Sequence, residues 1–279
     1  MQADPGFFGP ASITWRVNRE MTVLFGGARS LLLNAAHPLV AAGARQTGGY
    51  RKDPWMRLIQ TLRTQSTVTF GTREEARRAA DHVNQLHRSI HGTDPVTGRA
   101  YDALDPDLLL WVHAALEESS VLFYERTVAP LTAQERQRYH EESMTWAELF
   151  LLPRAHIPPT FEELRRYLHD MVERDQLRIT EVAREVAKLV VGGAVPRSIK
   201  PLWAFISFAA VGTLPPKLRQ MYGLDWGPVR QQALEAGLAI TSRVRPWVPY
   251  RHRVIAPARW AEARMRSRPD LRFADQRRP

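Results

Sequence analysis

The chain has 279 residues, with 39 Lys and Arg against 29 Asp and Glu for a net charge of +10, and 44% of its residues are hydrophobic. This composition is typical of a soluble globular protein that is long enough to bury a large core. The sequence contains no cysteine, which excludes disulfide bonds, thiolate zinc sites, iron–sulfur clusters and a cysteine nucleophile.

No membrane-spanning segment is expected from the sequence. The longest apolar stretch, Leu202 to Leu214, has 13 residues, whereas a transmembrane helix needs about 20. The first ten residues lack the basic and apolar regions of a signal peptide. We therefore expect a cytoplasmic protein.

Helices are predicted in succession along the chain. The first covers Glu20–Ala36 and ends before Pro38, because proline disfavours helix in the residue that precedes it. Pro54 opens the next helix, which runs to Phe70, and a third covers Arg73–Ile90. The turn-forming residues that follow predict a loop over 92–103.

Capping signals continue the helical pattern in the second half of the chain. Asp105-Pro106 opens one helix, and Thr132-x-x-Glu135 and Thr160-x-x-Glu163 are capping boxes that open two more. Further helices are predicted over Arg178–Val191, Pro201–Val211, Pro216–Tyr222 and Gly227–Arg243. No segment alternates with period two for long enough to require a sheet. The predicted fold class is all-α, with one large helical domain over 1–242 and a basic C-terminal arm over 243–279.

The C-terminal arm carries most of the excess charge. From Lys217 onward, 14 basic side chains stand against 5 acidic ones, so the preceding 216 residues are nearly neutral. Such an arm can pack over its own domain or a neighbouring subunit of a homo-oligomer, or it can bind an anionic surface or a nucleic acid. We favour the packed arm and expect no nucleic-acid partner.

Known metal and nucleotide motifs leave few options for the chemistry. No Glu lies three residues before a His, as a di-iron bundle requires, and His-Glu-x-x-His, the P-loop, the Rossmann glycines and the nucleophile elbow are absent. His87 and His91 would share a helix face and could chelate a metal. A haem b site requires only one imidazole ligand, apolar walls and cations that pair with the propionates. The composition permits haem without singling it out.

A family resemblance singles it out instead, through motifs in collinear order from about Trp15 to Met171. They begin with Asn18-Arg19-Glu20, Phe25-Gly26-Gly27-Ala28-Arg29-Ser30 and His37-Pro38-Leu39-Val40, and continue with Arg57-x-x-x-Thr61, Phe70-Gly71-Thr72, His87 before Gly92, Asp105-Pro106, Trp111-Val112-His113 and Pro159-Thr160. This pattern resembles the MpaB-type oxygenase family, which includes the latex-clearing rubber oxygenases.

The resemblance implies an all-α fold with a globin-like core that holds haem b through a proximal histidine, and O₂ and a small apolar molecule as partners. His87 fits the family pattern for the iron ligand, and His91 is the alternative. His113 matches a family histidine that either lines the pocket or bonds within the core. His37 either lines the pocket or satisfies the last carbonyls of its helix.

The resemblance also assigns roles to Arg57 and Thr61. They match the first and last residues of an Arg-x-x-Lys-Thr motif near the haem, where Gln60 replaces the lysine, so we expect no lysine ligand to the iron. Arg57 would pair with a propionate or polarise bound oxygen, unless it forms a structural salt bridge. Thr61 would donate a hydrogen bond in the site, unless it bonds back to its own helix.

The family's rubber-cleaving members are associated with an acid ahead of this motif. Here residues 41–50 hold no acid, and Asp53 is the only one between His37 and Arg57. This departure argues against polyisoprene and for a smaller substrate. We therefore expect a haem b-dependent oxygenase that oxidises an apolar small molecule with O₂, with cleavage of a carbon–carbon double bond as one such reaction. The alternative is a non-enzymatic haem carrier or sensor.

Overall fold

A computed structural model describes residues 3–193 and 195–266 of the chain. Within these residues the regular structure consists of α-helices, short 3₁₀ turns and one small two-stranded sheet, which confirms the predicted all-α class. The helices are α1 Ile13–Asn18, α2 Gly26–Ala36, α3 Pro38–Thr47, α4 Gly49–Lys52, α5 Pro54–Phe70, α6 Arg73–His87, α7 Pro106–Thr127, α8 Ala133–Leu149, α9 Phe161–Glu173, α10 Glu181–Gly192, α11 Lys200–Gly212, α12 Pro216–Met221, α13 Pro228–Val244, α14 Tyr250–Arg253 and α15 Ala256–Arg266. None of these helices combines the length and the apolar character that crossing a bilayer requires.

Helices α2 and α7 form the centre of the molecule. They pack on each other along their length, and α1, α8, α9, α10 and α11 surround them. Trp111 of α7 and Leu32 of α2 are fully buried, as expected for helices that are covered on several faces. Gly26 lies at the contact between the two helices, because a Cβ there would come within 2.8 Å of the Ser119 carbonyl oxygen.

Local capping chemistry sets several helix starts where the sequence predicts them. Thr132 and Thr160 each accept a hydrogen bond from the backbone of the Glu three residues later, which bonds back to the cap. The same reciprocal box opens α6, where Thr72 pairs with Glu75. These boxes satisfy amide groups that would otherwise have no partner in the first turn.

Three predicted boundaries are corrected by the structure. The helix predicted over Glu20–Ala36 is a 3₁₀ turn, Met21–Phe25, followed by α2. The helix predicted to run to Ile90 ends at His87, and the loop predicted over 92–103 contains an antiparallel hairpin, β1 His91–Thr93 and β2 Ala100–Asp102. Asp94 stabilises the hairpin turn by accepting hydrogen bonds from Thr97.

Segments near both ends of the described chain pack on the corner between α5 and α6. Near the N-terminus, Asp4 accepts a hydrogen bond from the backbone N–H of Arg73 at 2.8 Å. Near the C-terminus, Arg264 of α15 donates to the Phe70 carbonyl at 2.9 Å. Trp15 and Phe70 form the centre of the apolar cluster beneath α15.

The described part of the basic arm therefore lies over its own domain. Arg245 holds it to the body through two hydrogen bonds to the buried Glu20 carboxylate, at 2.9 and 2.6 Å. A backbone bond from Ile255 to the Arg19 carbonyl adds a second attachment. Residues 267–279 of the predicted arm lie outside the described residues.

Candidate functional site

The α5–α6 hairpin brings Arg57 and His87 to the same level of the molecule. Helix α5 runs to Phe70, the chain turns at Gly71-Thr72, and α6 returns antiparallel to end at His87. Each residue lies roughly 20 Å along its helix from that corner, at a rise of about 1.5 Å per residue. The two positions, 30 residues apart in sequence, are thus neighbours at the open end of the hairpin.

His87 combines a neutral ring with a free nitrogen. Burial lowers the pKa of the His87 imidazole, and the positive charge of Arg57 lowers it further. Its Nδ1 atom is buried and has no hydrogen-bond partner among the described residues. No carbonyl or carboxylate of the described residues bonds to this nitrogen. A neutral imidazole with an unpaired nitrogen is the form that can bind a metal.

Arg57 is exposed and forms no ion pair within residues 3–193 and 195–266. Its guanidinium is therefore available to an anionic group placed beside His87. Thr61 lies one turn further along α5, also exposed, and its hydroxyl donates to the Arg57 carbonyl at 2.9 Å. The hydroxyl is thus bonded back to its own helix, and its proton is not directed at a ligand.

His91 does not share a helix face with His87. The helix ends at His87, and His91 is an exposed residue of β1 that pairs with Asp102 of β2. The prediction of a chelating pair at i and i+4 is wrong, because that geometry exists only while the helix continues.

His37 is buried where α2 gives way to α3. Burial, assisted by the charge of Arg99, lowers the pKa of His37 to about 4, so the ring is neutral. Its Nδ1 atom lies buried without a partner among the described residues, and so does Nε1 of Trp111. The two rings lie 6.0 Å apart. The imidazole does not bond to the last carbonyls of α2 within the described structure, which leaves the pocket interpretation of His37 open.

His113 lies on α7 at the edge of a buried ionic cluster. Its Nε2 atom is 3.1 Å from Oε2 of Glu117, one turn later on the same helix. Its ring stacks on Trp146 of α8 at 6.1 Å. Trp146 and Val83 of α6 both pack against the buried cluster of Val68, Ala80 and Phe150. The ring of His113 is therefore linked through Trp146 to the apolar cluster beneath α6.

The sequence interpretation missed His140, Glu117 and Ser143, which complete this cluster. His140 is fully buried, with Nδ1 2.8 Å from Oε1 of Glu117 and Nε2 2.8 Å from the Pro158 carbonyl. Ser143 donates to Oε2 of Glu117 at 2.5 Å. The only sequence signal was the spacing, His113 to Glu117 at i, i+4 and His140 to Ser143 at i, i+3, which places each pair on one helix face.

The cluster is charged despite its burial. Burial opposes ionisation of Glu117, but the contacts with His113 and His140 outweigh it and lower the pKa of Glu117 to about 2. Burial likewise opposes protonation of His140, but the hydrogen bond to Glu117 raises its pKa overall. Because a carbonyl only accepts, Nε2 of His140 donates to Pro158 and the protonated Nδ1 donates to Glu117. Glu117 and His140 form a buried carboxylate–imidazolium pair.

No three His, Asp or Glu side chains of the described chain are arranged to hold a metal ion by themselves. A small cavity of about 50 Å³ lies beside Ala42 of α3 and Val182 of α10, and a groove of about 290 Å³ lies between α7 and α13. His87 lines neither of them.

Comparison with known proteins identifies the family of the chain. The family described as "ER-bound oxygenase mpaB/B'/Rubber oxygenase, catalytic domain" matches residues 15–244. The chain belongs to this family. Its match includes Arg57, Thr61, His87 and the buried cluster on α7 and α8, so these residues all lie within an oxygenase catalytic domain.

Two mycobacterial proteins are similar to this oxygenase-family chain over most of its length. They are Uncharacterized protein Rv2237 of Mycobacterium tuberculosis and Uncharacterized protein Mb2261 of Mycobacterium bovis. Each is 26% identical over 232 residues, which cover 80% of this chain and 89% of the relative. No solved structure matches the chain.

Proposed function

We propose that this protein is a haem b-dependent oxygenase that oxidises a small apolar molecule with O₂. The observation that carries the proposal is the juxtaposition of His87 and Arg57 in a chain of an oxygenase family. One is a neutral imidazole with a buried, unpaired nitrogen, and the other is an exposed cation without an ion-pair partner among the described residues. An iron ligand and a propionate-binding cation are the two groups that a haem protein must supply.

The residues at the open end of the α5–α6 hairpin fit haem b. His87 would hold the haem iron, because its lowered pKa keeps a lone pair available at neutral pH. Arg57 would bind a propionate, since its planar fork matches a carboxylate. When bound, haem supplies an iron centre that activates dioxygen for oxidation of the substrate. The protein contributes the position, the polarity and the access of that centre.

The remaining predicted residues would act around this pair. The Thr61 hydroxyl already donates to the Arg57 carbonyl. We therefore assign Thr61 to lining the site beside Arg57 and not to proton donation. His113 would present its ring at the α7 side of Trp146, held by the Glu117–His140 pair. His37 would supply a neutral polar group beside Trp111. His91 is the control for the ligand assignment.

The lining of the hairpin favours an apolar substrate. Half-buried apolar side chains follow α5 and α6 toward the open end, and Met56 and Leu86 are 46% and 47% exposed there. The half-buried set comprises Leu58, Ile59, Leu62 and Val83, together with Ile90 in the segment that follows α6. Apolar pockets with a few polar groups are typical of small-molecule sites. We propose a small alkene as the substrate class, with cleavage of its double bond as the reaction to test.

The test begins with the absorption spectrum of protein purified with haem supplied. We expect a Soret band in the parent protein and in His91→Ala, and its loss or a clear shift in His87→Ala. A band that is absent from the parent, or unchanged in His87→Ala, would contradict the ligand assignment. His87→Ala must show the far-ultraviolet circular dichroism of the parent, so that loss of haem is separated from loss of fold.

Oxygen consumption then distinguishes an oxygenase from a haem carrier or sensor. The haem-loaded protein is mixed with a series of small apolar alkenes, and dissolved O₂ and carbonyl products are measured. Consumption that requires the alkene supports the proposal. A haem-loaded protein that consumes no O₂ with any member of the series would instead be a carrier or sensor.

A further inference from the structure

Helix α13 has two apolar faces, and only one of them packs against the domain. On the inner face, Leu234 and Leu238 are buried against Phe25 and Phe123. This contact accounts for the position of α13 on the body of the protein. It leaves the opposite face of the helix without an apolar partner in the described structure.

The outer face carries a continuous row of exposed apolar residues, here called the outer stripe. Its members recur at i, i+4, i+7, i+11, i+15 and i+18, which places them within about 80° of one another around the helix axis. They are Val229, Ala233, Ala236, Ile240, Val244 and Trp247, the last in the 3₁₀ turn that continues α13. Val229, Ile240 and Trp247 are 80%, 58% and 85% exposed.

This pattern is not that of an ordinary surface helix. A helix on the surface of a monomer usually presents polar residues opposite its core face. Contiguous exposed apolar surface usually marks a contact with another molecule, and a tryptophan is the side chain most enriched at the energetic centres of protein interfaces. The outer stripe is therefore expected to bind a partner that presents an apolar helical surface.

We propose that the outer stripe is the interface of a homodimer in which α13 packs antiparallel on α13 of a second copy of this chain. The sizes of the side chains support this occupant. A two-fold axis at the level of Leu238 places Trp247 opposite Val229 of the second copy, Val244 opposite Ala233 and Ile240 opposite Ala236. Each large residue of the C-terminal half meets a smaller residue of the N-terminal half.

The antiparallel arrangement fills the interface where a parallel one would not. Small residues let two helix axes approach closely, and large residues opposite them occupy the space that remains. A parallel pair would instead place Trp247 against Trp247 and Ala236 against Ala236. That pair would be held apart at one end and loosely packed in the middle.

The charges beside the outer stripe agree with the same arrangement. Arg243 is exposed on one flank of the stripe, with Gln232 on the same flank nearer the N-terminus. In the antiparallel pair the two Arg243 residues lie about 15 Å apart along the helix axes, and each lies beside Gln232 of the other copy. This separation keeps the two positive charges apart across the interface.

Sedimentation equilibrium of the full-length protein tests the dimer. We expect the parent to self-associate, and Trp247→Ala and Ile240→Glu to raise the dimer dissociation constant by more than about tenfold. Trp260→Ala is the matched control, because Trp260 is also exposed, at 70%, but lies on α15. It should leave the dissociation constant unchanged. Loss of the dimer itself lowers the melting temperature of an associating protein, so thermal melting is compared below the dimer dissociation constant, where the three exposed positions should show the parent stability.

Cysteine cross-linking tests the orientation, because the parent chain contains no cysteine. Ala233→Cys combined with Val244→Cys places each thiol opposite a thiol of the other copy in the antiparallel pair. We expect oxidation to give a covalent dimer from this double variant and none from Ala233→Cys alone. The converse result, a dimer from the single variant, would show a parallel pair and overturn the proposed interface.

Two further outcomes would overturn the proposal. One is a parent protein that remains monomeric at all concentrations. The other is a monomer that sediments with vesicles of anionic phospholipid through Trp247, which would make the outer stripe a membrane contact. Neither outcome depends on haem binding or oxygen consumption. The proposed dimer can therefore be overturned while the proposed function stands, and the proposed function can be overturned while the dimer stands.

Discussion

The buried histidines on the two sides of helix α7 differ in whether their ring nitrogens have hydrogen-bond partners. Toward α8, His140 has an acceptor at each ring nitrogen. Glu117 accepts hydrogen bonds from His140 and Ser143 and also lies in close contact with His113. Toward α2, His37 is almost as buried but its Nδ1 has no partner within the described residues, and the same holds for Nδ1 of His87 on α6.

The difference separates histidines that hold the fold from histidines that are available to a ligand. A buried polar atom that is satisfied contributes to stability and cannot easily take a new partner. A buried nitrogen without a partner costs free energy until something binds it. We infer that the α8 side is structural and that the nitrogens of His37 and His87, which have no partner among the described residues, are the ones available to a ligand.

Removing the carboxylate at the centre of the cluster should give the largest effect. Glu117→Ala leaves the His140 imidazolium buried without its carboxylate acceptor and removes one of the two acceptors of the Ser143 hydroxyl. We expect it to lower the free energy of unfolding by about 3–5 kcal/mol. Urea denaturation followed by circular dichroism measures the change. The exposed Glu141→Ala, on the same helix as His140, should cost less than about 1 kcal/mol. Equal costs for the two would contradict the structural role of the cluster.

Replacing one histidine of each kind by leucine sharpens the comparison. His140→Leu removes the partner of a buried carboxylate, so we expect it to destabilise the protein by about 3 kcal/mol or more. His87→Leu removes a nitrogen that had no partner, and the change in stability of haem-free protein should stay within about 1 kcal/mol. Urea denaturation followed by circular dichroism measures the loss of stability in both variants. A large cost at His87 would show that its ring is structural.

A smaller effect is expected in the pH dependence of stability. The pKa of His37 is lowered to about 4 in the folded protein, against about 6.5 in the unfolded chain. Between these values the unfolded state binds a proton that the folded state does not, so stability falls as the pH falls from about 6.5 to about 4. His37→Gln should flatten this slope by up to about 1.4 kcal/mol per pH unit. His140 acts in the opposite sense, because its raised pKa contributes stability that is lost as the pH rises.

The sequence predicts local features of this protein well because their causes are local. Thr132 and Thr160 cap helices through bonds to residues three positions away, and the sequence contains both partners. Arg57 and His87 lie at the same level because the distances from each residue to the corner between α5 and α6 are nearly equal. The family resemblance and the capping boxes together were enough to predict the all-α class.

The errors lie where distant residues decide. His91 leaves the helix because it pairs with Asp102 of β2, 11 residues away, and because Ala103 donates to the Ile90 carbonyl. The pairing of Glu117 with His140 joins two helices across 23 residues of sequence and has no local signature. The helix α3 was not predicted, although Pro38 at its first turn is compatible with a helix start.

The packing of the two terminal segments of the described chain on the α5–α6 corner has a mechanical consequence. Asp4 and Arg264 fasten the hairpin at Arg73 and Phe70, where the two helices meet. At the opposite end, Asn84 of α6, three residues before His87, donates to the Leu149 carbonyl of α8 at 2.9 Å. The corner is therefore joined to segments from both ends of the described chain, whereas the end that carries His87 is joined to a neighbouring helix. Unfolding of either terminal segment would remove contacts from the corner and leave the contact beside His87 in place.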